Sequence, residues 1–277
     1  MADIGGIGYI KRDSPIHRLD GAAKILMVLF LSLASMLTFD TRFIIFMIIA
    51  SLTMFFLGRV SLSELKYVLL FILVFMLLNN LMIYLFSPEE GVVIYGTRHE
   101  LFRINERYTI TQEQLFYQLN VTLKYFCILP VSLIFFSTTN PSDFAASLNK
   151  IGVSYKISYS VALALRYIPD VKRNYHEISQ AQQARGIDMS KKVKLTRRIK
   201  NACAILFPLI FSSMDKIEMI SNAMELRSFG KYRKRTWYQA NAFKKADYFI
   251  ISISFLCVVI AVILNFVNGG RFYNPFI

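Results

Sequence analysis

Long apolar runs separated by short polar segments dominate the chain and predict its architecture. Four runs occupy residues 22–39, 43–57, 67–86 and 115–136, and a fifth occupies residues 248–267. Each run approaches the ~20 residues that a helix needs to cross a hydrocarbon core of ~30 Å. Soluble domains seldom contain such unbroken runs, and 55% of the 277 residues are hydrophobic. The pattern therefore predicts an all-α membrane protein with about five transmembrane helices.

The segment before the fourth run, residues 87–114, mixes acidic and basic residues and interrupts the apolar pattern. Within it, residues 92–95 and 108–111 resemble short strands, so we expect a small hairpin there. The fourth run itself contains Lys124 and Pro130. We expect this helix to be kinked and to face protein rather than lipid, because a charge within a span needs a partner.

Residues 137–247 carry the 3.6-residue periodicity of amphipathic helices instead of continuous apolar runs. Asn140 and Pro141 predict the start of a first helix, and Gly152 predicts its end. In the last of these helices, apolar residues such as Met214 fall on one side and acidic residues on the other. A second helix is predicted at residues 155–168 and ends at Pro169, and a third is predicted at residues 170–184. A long last helix is predicted after the lysine-rich run and ends at about Leu226.

Basic residues are concentrated in this same segment. It holds 20 of the 32 Lys and Arg but 8 of the 18 Asp and Glu, hence +12 of the net charge of +14. Cytoplasmic loops of membrane proteins are enriched in Lys and Arg, and anionic lipids attract them. We therefore expect the segment and the amino terminus on the cytoplasmic side. We interpret the run Lys191–Lys200 as a lipid-facing anchor rather than a partner site.

These features divide the chain into three parts. We predict a membrane domain at residues 1–136, a basic cytoplasmic or interfacial domain at 137–247, and a last span with an external tail at 248–277. The basic domain lies between spans, and this position favours membrane orientation over nucleic-acid binding as the reason for its charge.

Motifs that carry chemistry are sparse. Cys127, Cys203 and Cys257 each stand alone in an apolar run, which favours small buried side chains over a disulfide framework or a metal site. The histidines are far apart, and the sequence contains neither a hydrolase motif nor a phosphate-binding GxxxxGK[ST] loop. We therefore expect no cofactor and no catalysis by this chain, and a partner would have to hydrolyse any ATP.

Two other interpretations stay open. A membrane-embedded enzyme would show hydrolytic activity as a purified single chain. A self-sufficient carrier would bind its substrate at polar residues within the spans. Placing a lysine at the centre of a membrane helix costs ~2.5–3.5 kcal/mol of insertion free energy, so its presence indicates a structural or functional role. The candidate residues for such a site are Asn79, Asn80, Asn120 and Lys124.

Two short stretches each end an amphipathic helix with a single arginine. Residues 180–188 form the first stretch, and residues 223–230 repeat its arrangement in a degraded form. Arginine offers five donors in a planar fork, which suits bidentate capture of carboxylates or carbonyls on a partner. A basic residue that complements the helix dipole is the simpler explanation for one such arginine. Two such arginines in one segment favour the interpretation that they dock onto a partner protein.

The order and spacing of these motifs resemble the transmembrane T component of energy-coupling factor (ECF) transporters, a branch of the ATP-binding cassette importers. The resemblance covers most of the chain, and the first arginine motif is its strongest signal. The motifs, in chain order, are Ser14–Asp20 with Lys24, Thr138–Pro141, Leu165–Pro169, Gln180–Gly186, Ala223–Gly230, and Arg235 with Thr236.

The resemblance implies an L-shaped scaffold in a prokaryotic cell membrane. In the family, an Ala-Arg-Gly tripeptide at the end of each of two coupling helices inserts into a groove of an ATPase subunit. The positions that would have these docking roles are Ala184, Arg185, Gly186, Leu226, Arg227 and Ser228.

The resemblance also implies the partners. These are two ABC ATPase subunits, identical or different, and one substrate-binding S component that takes up a vitamin or a transition metal. The second arginine stretch departs from the family pattern, since leucine and serine replace alanine and glycine. We therefore expect its turn to form later, at Gly230.

Overall fold

The computed structural model describes residues 14–58, 66–103, 105, 108–187, 194–232, 236–237 and 242–276. Among the features named above, Asp188, Lys191, Lys192, Val193 and Arg235 lie outside these residues. The chain forms two compact units, unit 1 (Met1–Asn140 and Asn241–Ile277) and unit 2 (Pro141–Ala240).

Helices make up most of the described chain. Unit 1 contains α1 (Gly21–Leu37), α2 (Thr41–Leu57), α3 (Lys66–Phe86), α4 (Glu90–Tyr95), β1 (Glu100–Arg103), β2 (Thr109–Thr111), α5 (Gln112–Thr138) and α9 (Lys245–Val267). Unit 2 contains α6 (Pro141–Lys150), α7 (Tyr155–Ala184) and α8 (Leu195–Leu226).

Five apolar helices of unit 1 lie where the hydropathy pattern predicts spans. Helices α3, α5 and α9 are long and apolar enough to cross a membrane. Helices α1 and α2 are also apolar but have 17 residues each, which corresponds to a length of ~26 Å. The expected class, an all-α membrane protein, is confirmed.

The core of unit 1 forms where α1, α2, α5 and α9 meet. Cys127 and Cys257 are buried in it, as expected, whereas Cys203 in α8 is only half-buried. Helix α3 differs, because it packs against α5 but none of its residues is buried. The buried core side chains are Met27, Leu31, Ala34, Phe43, Met47, Cys127, Val131, Cys257 and Ala261.

Chain connectivity gives unit 1 two ends. We call proximal the end at which α1, α3 and α9 begin and α2 and α5 finish, because the chain passes to and from unit 2 there. At the opposite, distal end, the tail after α9 crosses the turn between α1 and α2. The N–H of Phe39 donates to Arg271 O at 2.7 Å, and the Phe39 ring stacks on Phe272 with centroids 4.5 Å apart. The tail thus covers this turn.

The segment between α3 and α5 corrects part of the predicted hairpin. Residues 92–95 were expected to form a strand but belong to helix α4. The second predicted strand is confirmed, because β2 pairs antiparallel with β1. Four apolar residues have too little periodicity to distinguish strand from helix, so contacts decide. The N–H of Gly91 donates to Gln114 Oε1 at 2.8 Å, and the α4 backbone lies so close to α5 that only glycine fits there.

Helix α7 corrects a second expectation. We predicted two helices separated at Pro169, but one helix of 30 residues contains this proline. A proline removes one main-chain hydrogen bond and crowds the preceding turn, at a cost of ~3 kcal/mol. Helix α7 packs against both α6 and α8, which offsets part of this cost. Proline residues also lie inside α5 and α8, at Pro130 and Pro208.

A buried carboxylate holds the distal turn between α1 and α2. Asp40 Oδ1 accepts from the N–H of Arg42 at 3.0 Å, and its Oδ2 accepts from Arg42 Nη2 at 2.8 Å and from Asn268 Nδ2 at 2.9 Å. Burial alone would raise the pKa of Asp40, but the hydrogen bonds from Arg42 and Asn268 outweigh it and lower the pKa below its ordinary value. The ionised form therefore stabilises the folded protein.

We predict that Asp40→Asn destabilises the protein at neutral pH by about 1.5–3 kcal/mol, the range for hydrogen bonds to charged groups. A lowered pKa contributes stability above the unfolded-state pKa of ~3.9, and the contribution is lost as pH falls through the folded-state pKa. Thermal unfolding in detergent should show a Tm gap between variant and wild type at about pH 7 that narrows towards about pH 3. Asp215→Asn on exposed α8 is the control; a gap independent of pH would contradict this account.

Candidate functional site

The first arginine stretch closes helix α7 with a left-handed turn. Arg185 is the C-cap residue (φ −83°), and Gly186 follows at φ 85°. The N–H of Gly186 donates to Gln183 O at 2.9 Å, and the N–H of Ile187 donates to Gln182 O at 3.0 Å. This pair of hydrogen bonds is the Schellman closure, which satisfies the last carbonyls of a helix.

The second arginine stretch closes helix α8 in the same way. Arg227 is the C-cap residue (φ −87°), and Ser228 follows at φ 53°. The N–H of Ser228 donates to Glu225 O at 2.8 Å, and the N–H of Phe229 donates to Met224 O at 2.9 Å. Residue by residue, these partners match those at the end of α7.

The place of this second turn corrects the expectation that it forms at Gly230. The left-handed residue that closes α8 is Ser228, although Gly230 also has a positive φ of 92°. A residue with a side chain pays about 1–2 kcal/mol for this conformation. Contacts from elsewhere in unit 2 must therefore hold the turn.

An aromatic cluster supplies these contacts. The Phe229 ring lies 4.8 Å from the Tyr159 ring and 5.6 Å from the Tyr155 ring, measured between centroids. The Tyr159 ring is also 6.4 Å from Trp237, whose Nε1 donates to Asn149 Oδ1 at 3.1 Å. We call Tyr155, Tyr159, Phe229 and Trp237 the aromatic clasp. It fixes the end of α8 against the first two turns of α7.

The residues of the clasp were not predicted from the sequence. Phe229 directly follows the left-handed residue, at a position where an apolar side chain often accompanies this closure. That position was the signal available in the sequence. Tyr155, Tyr159 and Trp237 gave no comparable signal, because their contacts join distant parts of the chain.

All six candidate residues lie on the surface. We call Ala184–Gly186 tip 1 and Leu226–Ser228 tip 2; each of their residues is exposed. Leu226 is 89% exposed. The tips differ in support, since tip 2 adjoins the clasp, whereas an added Cβ at Gly186 would meet nothing within 4 Å.

The two tips lie at opposite ends of α7. Tip 1 closes this helix, and the clasp fixes tip 2 beside Tyr155 and Tyr159 at its start. Arg185 follows Tyr159 by 26 positions, which corresponds to ~40 Å along a straight helix. The two tips are therefore separate surfaces of unit 2.

Helix α8 also carries an exposed apolar stripe. Its side chains recur at helical spacing over ~27 Å of helix length, and each is between 46% and 64% exposed. Exposed apolar surface of this extent is typical of contact with a membrane or another protein. The stripe consists of Ile199, Leu206, Phe207, Ile210, Met214 and Ile217.

The polar residues within the spans contact neighbouring elements. Three of the four that a carrier site would use take part in such contacts, as expected for polar groups that stabilise a bundle. Among the described residues, no group of three His, Cys, Asp or Glu could hold a metal ion. The contacts are Thr41 Oγ1 to Asn120 Oδ1 at 2.7 Å, Asn80 Nδ2 to Thr122 Oγ1 at 3.1 Å, and Lys124 Nζ at 3.1 Å from the Phe39 ring centroid.

Comparison with known proteins gives one consistent result. The model of a family described as "CbiQ: Cobalt transport protein" matches residues 12–238. Proteins named energy-coupling factor transporter transmembrane protein EcfT are similar over nearly the whole chain. The one from Exiguobacterium sibiricum is 25% identical over 272 residues, covering 95% of this chain and 98% of the relative. Those from Acidaminococcus fermentans and Thermotoga maritima are 29% and 26% identical, and cover 89% and 91% of this chain and 91% of each relative.

We predict that Gly186→Ala and Ser228→Gly change stability in opposite directions. Gly186→Ala introduces a side chain at a left-handed residue, and Ser228→Gly removes one. Each change alters the free energy of the folded state by about 1–2 kcal/mol, and the unfolded-state entropy of glycine offsets part of this effect. Hydrogen exchange at the amides of residues 186–187 should be faster in Gly186→Ala than in the wild type. Exchange at the amides of residues 228–229 should be slower in Ser228→Gly. Gly270→Ala is the control, since Gly270 has equal space but no left-handed φ. Equal effects of both alanine variants would contradict this explanation.

We predict that Phe229→Ala releases tip 2 from the start of α7. Each aromatic pair contributes about 0.5–1.5 kcal/mol beyond its buried area, and Phe229 takes part in two. Trp237 is the only tryptophan, so its fluorescence reports the clasp directly and should shift to longer wavelength. Phe207→Ala, on the exposed stripe, should leave the emission unchanged. An unchanged spectrum in Phe229→Ala would show that the clasp does not depend on this ring.

Proposed function

This chain belongs to the CbiQ family, as the transmembrane T component of an energy-coupling factor transporter, and we propose that it transmits the motion of ATPase subunits to a substrate-binding membrane subunit. As a component of such a transporter, it is a membrane protein of bacteria that works with partner subunits. The proposal concerns which surfaces those partners contact and how force passes between them. The chain itself would carry out no chemical step.

The observation that carries the proposal is the shared geometry of the two tips. Each presents one exposed arginine immediately before a left-handed residue, at the end of a helix with a regular main-chain closure. Both arginines are exposed at the helix ends, where their planar donors can reach carboxylates or carbonyls of a partner. We assign ATPase docking to tip 1 and tip 2, that is to Ala184, Arg185, Gly186, Leu226, Arg227 and Ser228.

The separation of the tips supports two ATPase subunits rather than one. The distance of ~40 Å along α7 exceeds the reach of a single groove. The tips also differ in shape, because exposed Leu226 stands where tip 1 has Ala184. A groove that receives tip 2 needs an apolar recess for this leucine. Two unlike ATPase subunits would meet this requirement most simply.

The apolar stripe of α8 is our candidate for contact with the substrate-binding subunit. On ATP binding, the two ATPase subunits would approach each other and carry the tips with them. Helices α7 and α8 would then tilt, and a subunit packed on the stripe would change its orientation in the membrane. The positive charge of residues 137–247 favours the cytoplasmic side for unit 2 and for the amino terminus. The substrate, a vitamin or a transition metal, would be selected by that other subunit.

We predict that Arg185→Ala and Arg227→Ala each reduce ATP-driven uptake while leaving membrane insertion intact. Loss of one partner of an interfacial charged pair typically costs ~2–5 kcal/mol, or about 30- to several-thousand-fold in affinity. Co-purification of the ATPase subunits and uptake in proteoliposomes would measure the two effects. Arg173→Ala, an exposed arginine in the middle of α7, is the matched control. Uptake at the wild-type rate in both tip variants would refute the assignment.

A further inference from the structure

A buried lysine fastens the end of α5 to the start of α1. Lys24 lies in the first turn of α1 and is only 3% exposed. Its Nζ donates to the carbonyl oxygen of Thr138 at 2.8 Å. Burial of an ammonium group is costly unless hydrogen bonds compensate, so this contact strongly favours one position of the two helices. Thr138 is the last residue of α5, two residues before unit 1 gives way to unit 2.

A buried aspartate fastens the start of α9 to the same part of α1. Asp247 lies in the first turn of α9 and is 1% exposed. Its Oδ1 accepts from the N–H of Asp20 at 2.9 Å, and its Oδ2 accepts from the N–H of Lys244 at 2.7 Å. Asp20 in turn is the N-cap residue of α1. The chain re-enters unit 1 only six residues earlier, at Asn241.

Both connections to unit 2 therefore join unit 1 beside one short segment. Residues 20–24 contact Thr138 on the outgoing connection and Asp247 on the returning connection. This segment is little more than one helical turn, ~6 Å long. The end of α5 and the start of α9 cannot move apart without breaking a buried polar contact. Thr139, directly after α5, is extended rather than helical, so α5 ends at the contact with Lys24.

We infer that Lys24 and Asp247 are positioning residues for energy coupling. They hold α1, α5 and α9 together at the proximal end, so that force arriving through either connection moves the bundle as one body. Without them, the force would displace the end of one helix and would not move the rest of the bundle. This inference rests on the proposed function for its role in transport, but the fastening itself can be tested on the chain alone.

The test on the chain alone uses a matched pair of variants. Lys24→Met removes the proximal contact with little change in side-chain length. Asn265→Leu removes a side-chain hydrogen bond to a main-chain carbonyl at the distal end, where Asn265 Nδ2 donates to Leu37 O at 3.0 Å and joins α9 to α1. Hydrogen exchange of the full-length protein in lipid nanodiscs should be roughly tenfold faster around Thr138–Asn140 in Lys24→Met, the scale of one lost buried charge-assisted hydrogen bond. It should be unchanged there in Asn265→Leu.

The test in the complex measures uptake per ATP hydrolysed. We expect Lys24→Met to retain the ATPase subunits and their hydrolysis, while substrate uptake per ATP falls by roughly tenfold, which corresponds to ~1.4 kcal/mol of coupling. Asn265→Leu should keep the wild-type ratio, although each variant loses one hydrogen bond between helices, from α1 to α5 in Lys24→Met and from α9 to α1 in Asn265→Leu. If Lys24→Met fails to insert, Asp247→Asn replaces it, since the amide keeps the shape but loses one acceptor.

The outcomes separate the two proposals. A wild-type ratio in Lys24→Met, or an equal fall in Asn265→Leu, would overturn the inference, because the contact would then be merely stabilising. Unchanged exchange around Thr138–Asn140 would overturn the fastening itself. A wild-type complex without ATP-driven uptake would instead refute the proposed function, and the exchange experiment would still decide whether the proximal contacts fasten the helices.

Discussion

The left-handed residue that follows each arginine is the constraint on which the candidate site depends. A helix end leaves carbonyl groups without partners, and the Schellman closure satisfies them only if one residue adopts a positive φ. Gly186 does this after Arg185, and Ser228 does it after Arg227. The closure determines where each helix stops and therefore where each arginine stands. A shift of the turn by one residue would place a different side chain at the tip.

The two tips reach this geometry by different means. Glycine adopts the left-handed conformation without steric cost, so tip 1 needs no support from the rest of unit 2. Serine does not, and the packing of Phe229 against Tyr155 and Tyr159 holds tip 2 in place. Tip 2 is consequently coupled to the start of α7, whereas tip 1 lies at the other end of the same helix. Movement of α7 would displace both tips, which lie in opposite parts of unit 2.

Much of the fold and part of the candidate site could be predicted from local sequence. Apolar runs of sufficient length predicted the five long helices of unit 1, because the bilayer requires continuous hydrophobic segments with internally paired backbones. Glycine after an amphipathic helix predicted the end of α7 at Gly186. The prediction of a helix end at Pro169 was wrong, since a proline inside a helix removes one hydrogen bond, a local penalty that a helix of 30 residues can tolerate. The prediction of a strand at residues 92–95 was also wrong, because the close approach of α4 to α5 decided its conformation.

Hydropathy and turn residues thus determined, by themselves, which segments are helices of a membrane protein and that two of the helices end in an arginine. Only the tertiary structure decided that Ser228 closes α8, because its cost is met by rings distant in sequence. Only the tertiary structure joined Lys24 to Thr138, 114 residues away, and Asp20 to Asp247, 227 residues away. Local patterns report the energy of a segment with its own neighbours. Contacts across such separations depend on packing, which no single segment encodes.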